Sequence, residues 1–454
     1  MGGLLSLLSV ARDGVLAQTA ALNVTGQNVA GANTPGYVKR TVALQSAPGG
    51  GVQASNVTRS FDRFTYAQLV DQSGKLSAAT ARSTAVSDVE GIVVPGTDTL
   101  SDRADALFAA FNQLALSPSD AGVRSAVLAK AGWLASGFAE TADGLQSARN
   151  ELATRAKDVA GEVNDRLASI AKIDQSIVSA KARGEDASDL LDTRDKLVQD
   201  VADRIGARAV DSPNGGLTIF GAGTVLYEGG KAATISASID PAGALRVQAD
   251  RNGNVIDVTK GIESGTLGGV IQARDSDIPG LQSSLDAYAK DITDAVNAVH
   301  VNGFALDGTT GRPLFAPSAT VQGAAHSMAL DPGLVDHPEL LGASGAASDV
   351  PGGNDVAVAL ANLSSAQLGA GGTSAERYAS ITGKVGVLRN VSQSDETMRT
   401  DTMATATTLR ESTSGVSTDE EMIQLQQFQR AFDASTRVLK TVNDLFDSVL
   451  GIVR

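Results

Sequence analysis

The chain opens and closes on apolar positions at heptad spacing, and segments of other periods lie between. Over residues 3–32, Leu4, Leu8, Ala11, Val15, Leu22 and Val29 alternate by four and three, with Gln18 and Thr25 completing the rhythm. This spacing predicts a helix with a coiled-coil seam. Arg12 and Asp13 are its only ionised side chains, and Leu5, Leu7, Val10 and Leu16 lie off the seam. A helix apolar nearly all round needs several neighbours, and Gly14 and Gly26 weaken its intrinsic stability. From about Thr418 to Arg454 the pattern returns without a break: Leu425, Phe428, Phe432, Ser435, Leu439, Val442, Phe446, Val449 and Val453. Ser417-Thr418 followed by three acids supplies a helix start, because a hydroxyl cap and negative charge suit a helix N-terminus.

Between these ends, residues 101–116 and 119–183 carry helical spacing, Ser117-Pro118 separates them, and Asp189 to Ile205 reads as a further short helix. Residues 206–262 change character. Pieces rich in Val, Ile and Thr (LTIF, TVLY, ATISASI, ALRVQA, NVIDV) alternate with turn signals at Asn214-Gly215-Gly216, Glu228-Gly229-Gly230, Pro241-Ala242-Gly243 and Asn252-Gly253-Asn254. They predict a small antiparallel β domain. Residues 278–301 and 375–412 return to helix, and residues 302–353, rich in Gly, Pro, Ala and Asp, read as an irregular or short-stranded excursion.

The expected fold is therefore mainly α with an inserted antiparallel β domain. Residues 1–45 and 413–454 pair as a terminal coiled coil; residues 46–205, 264–301 and 354–412 form a middle bundle of long helices; residues 206–263 form the β domain. Each helical unit is discontinuous in sequence, and pairing the ends brings residue 1 near residue 454.

Charge and composition narrow the function. A net charge of −14 argues against nucleic acid or an anionic membrane as partner, since both need a basic surface. Aromatic residues make up only 4%, so the cores must be built from Ala, Leu, Val and Ile. With no cysteine, disulfides, thiolate metal sites and cysteine nucleophiles are excluded, and three histidines make a His-rich metal centre an unpromising reading. No apolar run reaches the 18 residues or so that a membrane helix needs. The N-terminal MGGLLSLLSVARDG lacks a basic residue before its short apolar run, which disfavours a cleaved secretory signal.

Catalytic motifs are weak. Asp250, Asn252 and Asn254 imitate a calcium loop, but Val255 and Gly261 stand where such a loop needs Gly and Glu, so a hairpin tip is the better reading. His326 and His337 with Asp331 and Asp336 read as a solvated polar loop. Asp189, Asp192 and Asp195 read as a solvated helix face. Asn33-Thr34-Pro35-Gly36-Tyr37 predicts a type II turn that ends the first helix: proline presets φ and glycine takes φ > 0.

Residues 28–40, NVAGANTPGYVKR, resemble the N-terminal signature of the bacterial flagellar axial proteins, the family of rod, hook and hook-associated proteins. The stretches at 105–135, 189–210, 264–315 and 414–450 are similar to the hook-associated members in particular. Val29-Ala30-Gly31 departs from a more usual Ile-Ala-Asn. The resemblance implies a non-enzymatic adaptor at the hook–filament junction, exported unfolded by the flagellar type III system without signal cleavage, and located in the extracellular flagellum. It implies no cofactor. Its implied partners are copies of itself in a helical ring, hook protein, the second hook–filament junction protein and a cytoplasmic export chaperone. The two seams would form the assembly interface, and Phe428, Phe432, Leu439, Val442 and Phe446 the chaperone contact. The alternatives are another rod or hook protein, or a cell-wall-acting assembly enzyme, which would need a pair of carboxylates with separated pKa values.

Overall fold

A computed structural model describes residues 2–47, 50–211, 216–369 and 371–452; the side chains of Gly2, Leu4 and residues 449–452 are not described. The side chains of seam positions Leu4 and Val449, and all of seam position Val453 and turn residues Asn214 and Gly215, thus lie outside what is described.

The first helix, α1 (Gly2–Gly31), leads through a turn into a hairpin of β1 (Arg40–Ser46) and β2 (Val52–Arg59). The helices α2 (Arg63–Val93), α3 (Leu100–Leu116), α4 (Ala121–Ala182) and α5 (Ser188–Ile205) follow. The starts of α2, α3 and α4 are capped by side chains: Asp62, Thr99 and Asp120 accept from backbone N–H groups three residues on, and Thr99 with Asp102 makes a full capping box. The stretch 119–183 is one helix rather than several. At 1.5 Å per residue its 62 residues run about 90 Å, long enough to serve two cores.

The β region forms two antiparallel sheets. Strands β3 (Ala207–Asp211), β4 (Leu217–Gly221), β5 (Thr224–Glu228) and β6 (Lys231–Ala232) make the first; β7 (Thr234–Ile239), β8 (Leu245–Arg251) and β9 (Asn254–Asp257) make the second. The predicted turn at 252–253 has Asn252 and Gly253 at φ +58° and +85°, as a two-residue hairpin loop requires. Asn164 on α4 pins the second sheet by exchanging two hydrogen bonds with the Ile235 backbone, at 2.7 and 2.8 Å.

Beyond the sheets come α6 (Gly265–Gln272), a π-helical turn over Ala273–Asp277, and α7 (Ile278–His300). Pro279 has no N–H to donate, and the π turn just before it absorbs the break. It also turns Arg274 and Asp277 inward. Asp277 takes a bidentate bond from Arg82 of α2, at 2.8 and 3.0 Å. The chain ends in α8 (Ala324–Ser327), α9 (Asp355–Asn362), α10 (Ser374–Ser414) and α11 (Thr418–Ile452). No helix among the described residues is long and apolar enough to cross a membrane.

Two main cores result. One joins α3, the first half of α4, α7, α9 and the start of α10 around Phe108, Phe111, Phe138 and Tyr288. The other joins α2, the second half of α4, α5, α6 and both sheets around Val163, Ile170, Tyr227 and Val247. Residues 302–353 hold only short helical turns and isolated bridges, and Leu314, Phe315, Leu334 and Leu341 complete the first core. Buried side chains moor them. Asn297 bonds the Leu314 and Phe315 backbone, and the Arg124 guanidinium donates to the carbonyls of Pro118, Pro338 and Leu341. Spacing in the loop itself carries no trace of this, because its backbone groups are satisfied by distant side chains.

His300 is one of these moorings. It is 1% exposed; its Nδ1 lies 2.7 Å from the Arg312 carbonyl, and its Nε2 accepts from the Gly342 N–H at 3.0 Å. Burial pushes its pKa down from 6.5 to about 4, with the Arg312 carbonyl and Asp331 pulling back in part. The folded state therefore binds this proton less readily than the unfolded chain. Its stabilising contribution is complete above pH 6.5 and declines as pH falls towards 4, by about 3 kcal/mol in all. Denaturation midpoints of the wild type should drop across that window, and those of His300→Gln should drop less; parallel profiles would refute the assignment.

Candidate assembly surface

The terminal helices pack antiparallel. Gly14 sits against Ser435, and Asn28 Nδ2 donates to Glu421 Oε2 at 2.9 Å, so the start of α1 runs beside the end of α11. On α11 the seam lies where the spacing put it. Val442 is buried, and Leu425, Phe428, Phe432, Ser435, Leu439 and Phe446 are half-buried, as are Ala431 and Thr436 beside them, while most intervening positions face solvent. On α1 the seam is shifted in part. Its positions Ala11 and Thr25 are buried, together with Ala17, Ala21, Val24 and Asn28 beside it, while the seam's Leu8, Val15, Leu22 and Val29 are half-covered at the edge of this ridge. The reason is steric. Alanines let the helices approach closely, so the larger side chains flank the contact line instead of filling it.

Covering α1 takes a second neighbour, the hairpin, whose tip at Gly51 lies against Val10. The flank that remains is apolar and open: Leu5, Leu7 and Leu16 are 57%, 49% and 61% exposed. On α11, Met422, Ile423, Val438 and Leu445 are likewise exposed.

The turn after α1 closes a polar knot that fastens the helix pair to the body. The Tyr37 N–H donates to the Thr34 carbonyl at 3.1 Å with Gly36 at φ +88°, the geometry of a type II turn; Asn33, Thr34 and Pro35 are exposed on its outside. The Tyr37 ring folds back over Gly31, where a Cβ would approach ring carbons to 2.6 Å, so the glycine that departs from the family pattern makes room for the ring. The Tyr37 hydroxyl donates to Asn28 Oδ1 at 3.0 Å. Asn28 also takes the Arg40 N–H and donates to the Arg40 carbonyl, so this buried amide is fully bonded. Lys39 pairs with Glu420 and with the buried Glu421 at 3.2 and 3.1 Å.

A second cluster corrects the reading of Asp189, Asp192 and Asp195 as a solvated face. Arg40, buried at the hairpin base, binds Asp189 and Asp192; Arg59 binds Asp192 and Asp195, both at 2.6 Å. Only Asp189 is exposed; the side chains of Asp192 and Asp195 are each 13% accessible. Spacing of three along α5 does align these carboxylates, but it does not say what faces them. Burial would lower the Arg40 pKa, and the bonds to Asp189 and Asp192 more than offset it, while burial pushes the Asp195 carboxyl up despite Arg59. Arg40 also lies over the Tyr37 ring and Arg59 over Phe61, at 4.9 and 4.8 Å. On the same helix Arg194 ties Asp174 and Asp211 together, and Tyr227 donates to Asp174.

The remaining candidates are unremarkable in their surroundings. His326 pairs with Asp143 and His337 with Glu339, both near the surface. The Asp250 carboxylate accepts the Gly253 N–H inside the β8–β9 tip. Among the described residues no group of three or more His, Asp or Glu could hold a metal ion. Two elements escaped the sequence reading: the β1–β2 hairpin and the alanine ridge. Arg40 and Arg59, paired across the hairpin, were the available signal for the first. The Ala11, Ala17, Ala21 spacing was the signal for the second.

Comparison with known proteins agrees with this architecture. Residues 86–315 match the model of the flagellar hook-associated protein FlgK helical domain, and residues 410–452 that of the flagellar basal body rod FlgEFG protein C-terminal region. Flagellar hook-associated protein 1 of Salmonella typhimurium is 28% identical over 70% of this chain and 60% of its own length. The chain therefore spans well under the full length of that relative. The proteins of the same name in Escherichia coli and Bacillus subtilis are each 25% identical over 98% of this chain, and over 100% and 97% of their own lengths. The structure of the flagellar hook junction protein FlgK from Burkholderia pseudomallei aligns with a TM-score of 0.51 at 23% identity, over 55% of this chain and 46% of that one, a likeness of fold. None of these names is that of an enzyme. With a helical-domain model over half its length and relatives of one name along nearly all of it, this chain belongs to the FlgK family of flagellar hook-associated proteins.

Proposed function

We propose that the chain is a non-enzymatic adaptor of the flagellar hook–filament junction, which polymerises through its paired terminal helices. The observation that carries this reading is the row of uncovered apolar side chains left after α1 and α11 have paired, with Leu5, Leu7 and Leu16 foremost. A monomer gains nothing from exposing them, whereas each one buried in an assembly contributes roughly 1.5–3 kcal/mol. The similar Burkholderia protein is a hook junction protein, and the rod-type C-terminal region coincides with α11, the helix that bears the better seam. The adaptor's neighbours are hook protein on one side and the second junction protein on the other, with copies of itself in a ring.

Export follows from the same surface. A chain passing unfolded through a type III apparatus lays bare Phe428, Phe432, Leu439, Val442 and Phe446, half-buried or buried only once α1 pairs with them. A cytoplasmic chaperone covering that stripe would keep it from aggregating. A strain lacking this chain is expected to build hooks without filaments and to shed flagellin into the medium. Hooks that still carry filaments of normal number and length would overturn the proposal.

A further inference from the structure

Away from the terminal pair, α10 carries a second uncovered seam. Val387, Val391, Met398 and Leu409 are 63%, 49%, 51% and 40% exposed. At 3.6 residues per turn these four positions fall within about 40° of one another, on one line along the helix. Ser394 and Thr405, also exposed, fill the places between them. The opposite face packs antiparallel on α2, with Thr413 beside Thr65 and Arg389 bonded to Ser83. Past Val385 the buried residues of that inner face are Ser392, Ala406 and Ser414. Beyond Val385 the fully buried positions are thus small or hydroxyl, with Leu388 and Met403 half-buried beside them, while Val387, Val391, Met398 and Leu409 face outward. A solvent-facing helix of a monomer shows the reverse.

Charge indicates what covers it. Along the exposed line the ionised neighbours are Lys384 at one end, bonded to Ser284, and Asp401 on one flank; Asp395 and Arg399 pair with each other beside it. An oppositely charged partner would need a charged row here, and none is present. Two copies of a chain of net charge −14 repel on the whole, and a seam nearly free of charge is where they can meet with little repulsion. It is also continuous with the surface described above. Only three residues separate α10 from α11, and the Arg410 guanidinium and the Ser414 carbonyl bond the backbone of Tyr37 and Lys39.

We propose that the outward face of α10 docks against a helix of a second copy of this chain, as a lateral contact between neighbouring subunits. The inference rests on the polymerising role proposed above and assigns that role a surface outside the terminal helices. The chain has no cysteine, so Met398→Cys places a single thiol in the middle of the seam without disturbing a core. Flagella are purified from the null strain carrying this variant, labelled with a maleimide–benzophenone photocrosslinker and irradiated. An adduct of two copies, near twice 46.2 kDa, is the expected result. Adding Val391→Asp should lower its yield at least tenfold. An adduct with a different protein overturns the proposal. So does the absence of any adduct when Leu16→Cys, labelled in parallel, crosslinks in the same preparation; that pattern leaves the junction role standing. Absence of the wild-type chain from purified flagella overturns the junction role, and this contact with it.

Discussion

Val442→Asp is expected to separate α1 from α11 and leave the rest of the molecule folded. Among the described seam positions on α11, Val442 is the fully buried one, at 3% exposure. The register set by Gly14 against Ser435 and by Asn28 against Glu421 brings it opposite the stretch around Leu8. Removing the valine forfeits roughly 1.5–3 kcal/mol, and a carboxylate placed at that contact must also be desolvated or expelled. Little opposes the loss. The ridge that α1 offers is mostly alanine, and the helix contains Gly14 and Gly26 and carries no acid in its first turn and no base in its last. Neither main core includes a residue of α1 or α11, so both should survive. Circular dichroism should show the loss of much of two helices of 30 and 35 residues, and limited proteolysis should trim both ends to a core of roughly residues 45–415, while the thermal transition of the body holds its position. In cells the variant should fail to retain filaments. Unchanged helix content together with protease-resistant ends would show that the pair does not depend on this seam.

The second large effect is expected at Asp192→Ala. This carboxylate is shared by Arg40 and Arg59, at 3.1 and 2.6 Å, and is itself mostly buried. Deleting it leaves two buried guanidinium groups short of a partner. Arg40 retains Asp189 and Arg59 retains Asp195, so the cost falls at the lower end for breaking a buried pair, about 3 kcal/mol. The damage should be local. Arg40 and Arg59 stand opposite each other at the open end of the hairpin, and an isolated two-stranded hairpin is marginal in water. Amide exchange across residues 40–59 should accelerate roughly a hundredfold, with the main cores unaffected. Asp189→Ala supplies the contrast. Its side chain is 88% exposed, so the same Arg40 contact there is worth under about 1 kcal/mol. If both variants loosen the hairpin equally, the shared buried carboxylate is not what holds it.

These two sites differ in how they announced themselves. The α11 seam was legible because a helix fixes the angle between residues three and four apart, so regular spacing of Phe, Leu and Val implies one face. The turn at Thr34–Tyr37 was legible because proline and glycine constrain φ directly. The clamp on α5 was not. Its three aspartates show the same helical spacing whether they face water or arginine, and their partners lie some 130–150 residues earlier in the chain. The α1 ridge was only half found, at Ala11 and Thr25, for a related reason. Leucine and valine mark a seam more visibly than alanine, yet the closest approach of two helices goes to the smaller side chain.

Local chemistry thus settled by itself which segments are helix and which are strand through most of the chain, where α1 stops, and that the two ends carry apolar stripes. Those properties depend on φ, ψ and spacing within a few residues. What only the folded molecule decided was pairing across distance: alanines of α1 against the α11 seam, aspartates of α5 with the hairpin arginines, an irregular loop closing a core, and valines of α10 left facing out. Each is a choice of partner, and a partner's identity depends on loop geometry and competing contacts that no short stretch of residues contains.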